Sequence, residues 1–526
     1  MGEIFLYKRV QKKNPKINLW FAYPAIESFA MASLGFLTIF KDFDSDEEIF
    51  AERVYSDSTS TILTKDQVDY IGFSISFEID ILTLIKMLKK YNIPLKAKER
   101  NGNDPIIFAG GPVLMSNPAP YEDFFDFICI GEKTTLIEAN KILKQKDELS
   151  RDRLLEKLSE TEGIYVPKYK KGEVEIVRDN IVEPIYTPIL SEKSFFKDTF
   201  VIELERGCPK MCNFCLASWL NLPVRYADFD KIIEAIDMGL EHTNKLALLG
   251  AYVAGHPRFN DILSYIAKRC ETKPIELSIS SLRADLTDIE LVKTLVKCNQ
   301  KSATIAIEAG SERLRKIIGK NLKEEQILKT VETAILGGLK GLKMYFMIGL
   351  PTETEFDISE IVEVAKKMKD IVKAYKTNFE IIFSASTYIP KLKTPFETVE
   401  RCDKKVLADR IFYLKKNLHK LGIQFRSPSV EWDCVQSILS RYSESLADYL
   451  IDVVQEGSNL GAFKKVWRQY HKKGLLPDYE TCAKVPLNNI KTRGENGDFI
   501  LTGAQILKEK RERELVSYLE HSCSVN

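Results

Sequence analysis

Six apolar runs, at residues 200–205, 245–249, 275–280, 303–308, 342–347 and 380–385, are each followed by a stretch with the periodicity of an amphipathic helix. A lone strand or helix cannot bury its apolar side by itself, so repetition in this order predicts parallel strands covered by helices. Helix starts are expected at the capping-box patterns Thr287…Glu290 and Thr352…Glu355. In strand–helix barrels the reactive side chains gather at the C-terminal strand ends, and chemistry is to be sought there.

The first run continues into Phe200-Val-Ile-Glu-Leu-Glu-Arg-Gly-Cys-Pro-Lys-Met-Cys-Asn-Phe-Cys-Leu-Ala, a loop carrying Cys208, Cys212 and Cys215. Three thiolates this close can be delivered to one face of an iron–sulfur cube, and since a four-iron cube has four corners, one iron is left without a protein ligand. An open coordination position separates a reactive metal site from a structural one. Gly207 and Pro209 bracket the first cysteine where the chain must turn off the strand, and Phe214, beside the last, can cover the cluster and exclude water. Zinc is the competing reading. It would want a fourth ligand nearby, and no other Cys and no His lies close in the sequence.

The C-x3-C-x2-C spacing with an aromatic before the last cysteine resembles the signature of the radical S-adenosylmethionine (SAM) superfamily. The resemblance covers nearly the whole chain, most strongly residues 200 to 396. It implies an α/β fold with a partial (β/α)6 barrel over 200–400, a 4Fe-4S cluster, and S-adenosyl-L-methionine chelated to the open iron. An electron from the reduced cluster would split the sulfonium to a 5′-deoxyadenosyl radical, so a low-potential electron donor is expected as a partner.

The strand ends fit the same resemblance. Gly250 ends the second strand, where the family's Gly-rich motif contacts the methionine part of the cofactor, although the acidic residue of its G-G-E form is missing. Ser280, Ser281 and Arg283 end the third, with hydroxyl and guanidinium groups suited to ribose or carboxylate; Arg283 equally suits a surface ion pair. Glu308 ends the fourth, where a carboxylate can accept from ribose hydroxyls or the methionine amine. Tyr345 and Met347 lie on the fifth, which resembles the family's adenine-proximal strand, while a methionine there is also ordinary core. His256 reads more simply as an exposed or capping histidine than as a ligand. Pro390-Lys391 and Thr394-Pro395-Phe396 resemble the family's closure of the barrel mouth.

Over residues 1–149, strand-like runs at Ile17–Tyr23, 68–75, 106–109 and 125–130 alternate with helical patterns near 27–40, 77–91 and 133–145. This predicts a Rossmann-like parallel sheet covered on both faces. Gly110-Gly111-Pro112, without side chains at its glycines, lets a bulky ligand approach the backbone, and it equally serves as a tight turn. Glu52-Arg53-Val54, residues 72–78 and 109–112, Asn117-Pro118 and Gly131-Glu132 resemble the cobalamin-binding-type domain that some radical SAM proteins carry ahead of the cysteines. Cobalamin is therefore a candidate second cofactor, with Gly110 and Gly111 in its bed. The usual pattern includes D-x-H-x-x-G, whose histidine is the lower cobalt ligand, yet no histidine precedes His242. Residues 150–199 read as a bridge, with a hairpin-like unit of 164–169 and 173–178 around Lys170-Lys171-Gly172 and an extended stretch at 182–190.

Beyond residue 400, Leu407, Ile411, Leu414, Leu418 and Leu421 recur at helical spacing up to Gly422. Further helices are expected at 432–455, 460–473 and 502–520, giving an α-helical C-terminal domain over 401–526. Cys402, Cys434, Cys482 and Cys523 show no ligand spacing and read as ordinary thiols.

The 526 residues, with 76 Lys and Arg against 75 Asp and Glu, carry no net field that would draw the chain to nucleic acid or a membrane. Ten cysteines, three clustered and the rest scattered, fit a reducing compartment, and the first residues lack the layout of an export signal, so a cytoplasmic location is expected. The most membrane-like run, 19–40, is broken by Pro24 and Glu27 and reads as core. Substrate and reaction stay open among methyl transfer to unactivated carbon, sulfur insertion and rearrangement. A tRNA methylthiotransferase-like protein is the competing enzyme, but that family carries a second three-cysteine cluster in its N-terminal domain, and here only Cys129 precedes Cys208. A non-catalytic iron–sulfur sensor would not need nucleotide-binding residues at the strand ends.

Overall fold

The computed structural model describes residues 2–169, 174–484 and 511. The N-terminal sheet has the spatial order Ile49–Tyr55, Ile17–Tyr23, Tyr70–Ser74, Ile106–Gly110, Phe127–Cys129 and Ile164–Tyr165, parallel except for the last strand. Counted along the chain, the parallel strands run 2-1-3-4-5, the doubly wound order in which ligands bind beyond the carboxyl ends of the strands. Ile17–Tyr23 is buried on both faces, which is why it is a continuous apolar run. Ile49–Tyr55 escapes the apolar pattern because Glu52 and Arg53 interrupt it. At the sheet edge both find partners: Glu52 accepts from Trp20 Nε1 at 3.2 Å, and Arg53 pairs with Glu3 at 2.6 Å.

The flanks of the expected hairpin do not pair with each other. Ile164–Tyr165 joins Phe127–Cys129, and Val177 bridges to Gly131, so both extend the N-terminal sheet; the loop at 170–173 lies outside the described residues. The stretch 182–190 is extended as expected, lending Ile185–Tyr186 to the barrel and Ile189–Leu190 to a pairing with Ile4–Phe5.

All six strands of the middle third form: Thr199–Glu203, Lys245–Leu249, Glu276–Ile279, Ser302–Glu308, Gly341–Ile348 and Glu380–Thr387. They run parallel in chain order as two sheets joined where Leu282 N donates to Thr304 O at 2.8 Å. A seventh strand, Gln424–Arg426, adds in parallel beyond the sixth; it is too short and polar for a pattern to reveal. Leu246, Leu248, Leu277, Ile305, Ile307, Met344 and Phe346 enter a core shared with the covering helices. Side chains that alternate with them, including Leu249, Glu308, Tyr345 and Met347, face the barrel interior.

Two helix starts are shifted from the expected boxes. The helix Ile289–Lys297 is capped by Asp288, which accepts from Leu291 N at 2.8 Å, and Glu355–Ala374 is capped by Thr354 in a box with Asp357. Thr287 instead donates its hydroxyl to Arg283 O at 2.8 Å, and Thr352 sits at φ +62° in the preceding turn.

The helix Lys404–Lys420 packs Leu407, Leu414 and Leu418 into the barrel core. The stretch 432–455 is two helices, Val430–Arg441 and Ala447–Gln455. With Leu460–Lys472 they cover one face of the N-terminal sheet, where Val435, Tyr449, Phe463 and Trp467 share a core with Trp20, Ile71 and Phe73. The expected helix at 502–520 and Cys523 lie outside the described residues. Residues 19–40 form strand and short-helix core, and among the described residues no helix is long and apolar enough to cross a membrane. Cys270 and Cys298, at the ends of consecutive barrel helices, are joined as a disulfide, a pairing their spacing does not announce.

Asp126 accepts from Arg100 at 2.6 Å, from Arg151 at 2.8 Å and from Ile107 N at 2.8 Å, with the Arg100 and Asp126 side chains almost wholly buried. Breaking such a pair strands a buried charge, so Asp126→Ala should cost about 3–5 kcal/mol. The loss is expected as a lower urea midpoint, and Arg151→Ala, removing the more exposed partner, should lower it less.

Candidate active site

The first barrel strand passes through Leu204 into Glu205–Arg206, which pairs antiparallel with Arg225–Tyr226 and closes the cysteine loop at its neck. Gly207 there has φ +88°, and a Cβ would stand 2.7 Å from Asn221 O, so conformation and space both require glycine. Inside the loop Trp219 is fully buried and donates from Nε1 to Cys212 O at 2.9 Å. From across the barrel, the turn after the helix Glu312–Ile317 lies over the loop. Asn213 N donates to Ile318 O at 3.0 Å, Asn213 Nδ2 to Ile317 O at 2.8 Å, and the Cys212 thiol to Gly319 O at 3.7 Å.

Cys208 and Cys212 are buried and Cys215 is half-buried. Burial pushes up the thiols of Cys208 and Cys212, the latter to about 12, while the Lys320 and Arg283 charges oppose the rise at Cys212. Such thiols keep their protons until a metal displaces them, and the two cations then compensate an anionic cluster. Among the described residues no three Cys, His, Asp or Glu side chains converge closely enough to grip one ion. A cube uses a different iron for each cysteine and does not need them to. The donor set fits a cluster better than it fits zinc.

Glu308 sits at φ +67° where its strand shifts register against the next, a strained position for a non-glycine residue. Its Oε1 pairs with Lys320 Nζ at 3.1 Å. Arg283 is held by Asp285 at 2.9 and 3.1 Å and donates to Lys320 O at 3.0 Å. The ion pair that the sequence left open therefore exists, and it positions the guanidinium beside the turn covering the cysteines. Ser280 Oγ donates to Gly250 O at 3.3 Å, tying the third strand end to the second, while Ser281 is exposed.

Phe214 and Met347 pack on one apolar cluster with Ala309, Leu350, Tyr388 and Phe396, so the aromatic beside the last cysteine and the fifth-strand methionine come together. Tyr345 lies partly exposed, with Lys343 Nζ 4.6 Å from its ring. Against the expected exposure, His256 is buried and holds the turn before the helix Phe259–Arg269, which has no side-chain cap: Nδ1 accepts from Arg258 N at 3.1 Å and Nε2 meets Ala227 O at 3.1 Å.

Two residues that sequence reasoning missed belong to this constellation. Lys320 comes from a loop with no motif of its own. Glu205 lies against Gly250, beside the place where the family's motif carries an acid: a Cβ on Gly250 would be 2.2 Å from both Glu205 oxygens. Its one sign in the sequence is that it is one of two carboxylates, with Glu203, at the end of a largely apolar run. Burial, with Glu203 nearby, pushes it up to about 8.

Gly110 and Gly111 line a mostly apolar cavity of about 420 Å³ between the carboxyl ends of the N-terminal sheet and the start of the barrel. Ser74, Cys129 and Gly131 form one side, Glu203, Arg206 and Leu249 the other, and the Thr38 hydroxyl there is buried without a partner. Gly111 is required by the turn itself, with φ +124° and Ile75 O 2.3 Å from a would-be Cβ, whereas a Cβ on Gly110 would make only ordinary contact with Cys129 at 3.5 Å.

A strand–helix barrel with a cysteine loop at its first strand end, fronted by a doubly wound sheet, is the architecture of a cluster-bearing enzyme that works at its barrel mouth. Residues 35–167 match the family model for radical SAM proteins, N-terminal, and residues 202–365 that of the radical SAM superfamily. The uncharacterized protein MJ0966 of Methanocaldococcus jannaschii is 31% identical over 76% of this chain and 83% of its own length. A tRNA-2-methylthio-N(6)-dimethylallyladenosine synthase of Pelagibacter ubique is 25% identical over 57% of this chain and 68% of that protein. In fold, 97% of the chain is similar to 81% of the cobalamin-dependent S-adenosylmethionine radical enzyme OxsB, solved with aqua-cobalamin and S-adenosylmethionine bound, with TM-score 0.51 and 16% identity. The chain belongs to the radical SAM superfamily, and the cofactors of that family are a 4Fe-4S cluster and SAM.

Gly207→Ala should destabilise the neck by about 1–3 kcal/mol, the range for a residue forced into a disfavoured backbone region. The expected readout is a lower thermal midpoint together with poorer retention of iron after anaerobic desalting.

Proposed function

We propose that Cys208, Cys212 and Cys215 hold the cluster of this radical SAM enzyme, and that Gly250, Ser280, Arg283, Glu308 and Lys320 receive SAM. We further propose that the cavity between sheet and barrel takes a corrinoid serving methyl transfer to an organic substrate. The position of that cavity carries the reading: a ligand in it touches the carboxyl ends of the N-terminal sheet and also borders Glu203, Arg206 and Leu249 of the barrel. The apolar walls and the Gly110 backbone suit a large ligand, and no histidine is among the described lining residues, so cobalt would receive no imidazole there.

When bound, the cluster and SAM supply a 5′-deoxyadenosyl radical and the corrinoid a transferable methyl group. The chain's own side chains position and enclose. Lys320 and Arg283 place positive charge beside Cys212, Glu308 offers acceptors at the fourth strand end, and Phe214 with Met347 keeps water from one side of the mouth. A low-potential electron donor and a cytoplasmic setting complete the reading, with the Cys270–Cys298 disulfide the one observation against a fully reducing environment. The likeness to the tRNA-modifying synthase favours a second reading, methylthio transfer to tRNA. Against it, Cys129 is the one cysteine ahead of Cys208, and burial pushes its thiol up to about 12.

Anaerobically reconstituted protein is expected to hold about four irons per chain. The triple variant Cys208→Ala/Cys212→Ala/Cys215→Ala should lose them with the charge-transfer absorption, and retention of both would overturn the cluster assignment. With cobalamin added, the corrinoid should survive gel filtration, its cobalt(II) resonance should lack nitrogen splitting from a protein imidazole, and turnover should give both 5′-deoxyadenosine and S-adenosylhomocysteine. Loss of the corrinoid on the column would mean that this domain only shapes the substrate cavity.

A further inference from the structure

Glu205 is 1% exposed, and only one of its carboxylate oxygens is used. Oε1 accepts from Tyr252 N at 2.5 Å, while Oε2 is buried without a partner. An unmet acceptor in such a place is costly unless a ligand completes it. The titratable groups facing it do not: Glu203 carries the same charge, and Tyr226, which senses its field, forms no bond to it among the described residues.

The position of this oxygen narrows the ligand. The carboxylate lies against Gly250, where it occupies the space a side chain would take, and Gly250 O in turn accepts from Ser280 Oγ at 3.3 Å. The ends of the first three barrel strands therefore meet around Glu205, with Cys208 three residues along the chain. A buried acceptor beside the cluster loop calls for an N–H donor, preferably on a group of opposite charge. Of the groups at the methionyl end of SAM, the carboxylate would be repelled and the sulfonium has no N–H, which leaves the α-amino group.

We propose that Glu205 Oε2 accepts an N–H of the α-amino group of SAM and fixes the methionyl end of the cofactor against Gly250. The assignment rests on the family's use of this cofactor. Glu205 is a positioning residue in this role.

The test uses cluster-loaded full-length protein and anaerobic calorimetry with two probes, SAM and 5′-methylthioadenosine, which has the adenosine and sulfur but no amino-acid end. Glu205→Gln keeps the size and an acceptor for Tyr252 N. It should weaken SAM about tenfold or more and leave 5′-methylthioadenosine unchanged. Equal weakening of both probes would show a merely structural role, and unchanged SAM affinity would show no contact; either overturns the assignment. If the Gln variant does not keep its iron, Glu205→Asp, which retains the charge on a shorter arm, is titrated with the same two probes: selective weakening of SAM supports the contact, and equal weakening or unchanged SAM affinity overturns it. Wild-type protein that holds its cluster but binds no SAM would overturn the cofactor reading, and this assignment with it.

Discussion

Glu132 ties the N-terminal sheet to the barrel. Its carboxylate meets Arg225 at 2.8 and 2.9 Å and Arg206 at 2.9 Å, and Arg206 is gripped again by Glu203 at 2.6 and 3.0 Å. Arg206 and Arg225 are the two strands of the neck beneath the cysteine loop, and Glu132 directly precedes the helix Lys133–Leu143 of the N-terminal sheet. With the Glu132 side chain only 6% exposed, removing any member would leave the others charged in a dry place. Glu132, Glu203 and Arg206 also line the cavity, so one network sets both the base of the cysteine loop and the wall of the neighbouring site. A second junction, Glu78 with Lys391 and with Gln436 at 3.1 Å, joins the N-terminal sheet, the loop after the sixth barrel strand and the C-terminal helices.

The cysteine loop is not a self-supporting motif. Its far side is held by the carbonyls of Ile317, Ile318 and Gly319, which come from the opposite half of the barrel, and its inner side by the Trp219 indole. A loop braced from two directions keeps its cysteines in place before a cluster arrives, which is the preorganisation that a reactive site needs. The same turn delivers Lys320 to Glu308.

Desolvation then dominates the electrostatics of the mouth. It raises the thiols of Cys208 and Cys212 and the carboxyl of Glu205, all toward neutral forms, while Arg283 stays close enough to favour both thiolates and Lys320 that of Cys212. Such a site takes on charge when its ligands arrive, because each ligand supplies the counter-charge that burial withholds.

How much of this is legible in sequence differs by element. The six barrel strands are legible as short, largely apolar runs, each followed by a helical pattern, because the face that meets the helices repeats every second residue. The cysteine loop is legible because the chemistry depends on spacing along the chain. The edge strand Ile49–Tyr55 is hidden by charges that only a tertiary partner such as Glu3 explains, and the strand Gln424–Arg426 by its brevity. The caps fall at Asp288 and Thr354 because neighbouring threonines are engaged elsewhere. The sequence by itself thus determined the cluster motif, the order of strands and helices and the strand ends where ligands belong. Only the tertiary structure decided that Glu205 lies against Gly250, that Lys320 reaches Glu308, and that the C-terminal helices close one face of the N-terminal sheet. Those pairings join residues far apart along the chain, or on different strands, and depend on how whole elements pack, which no local pattern of side chains records.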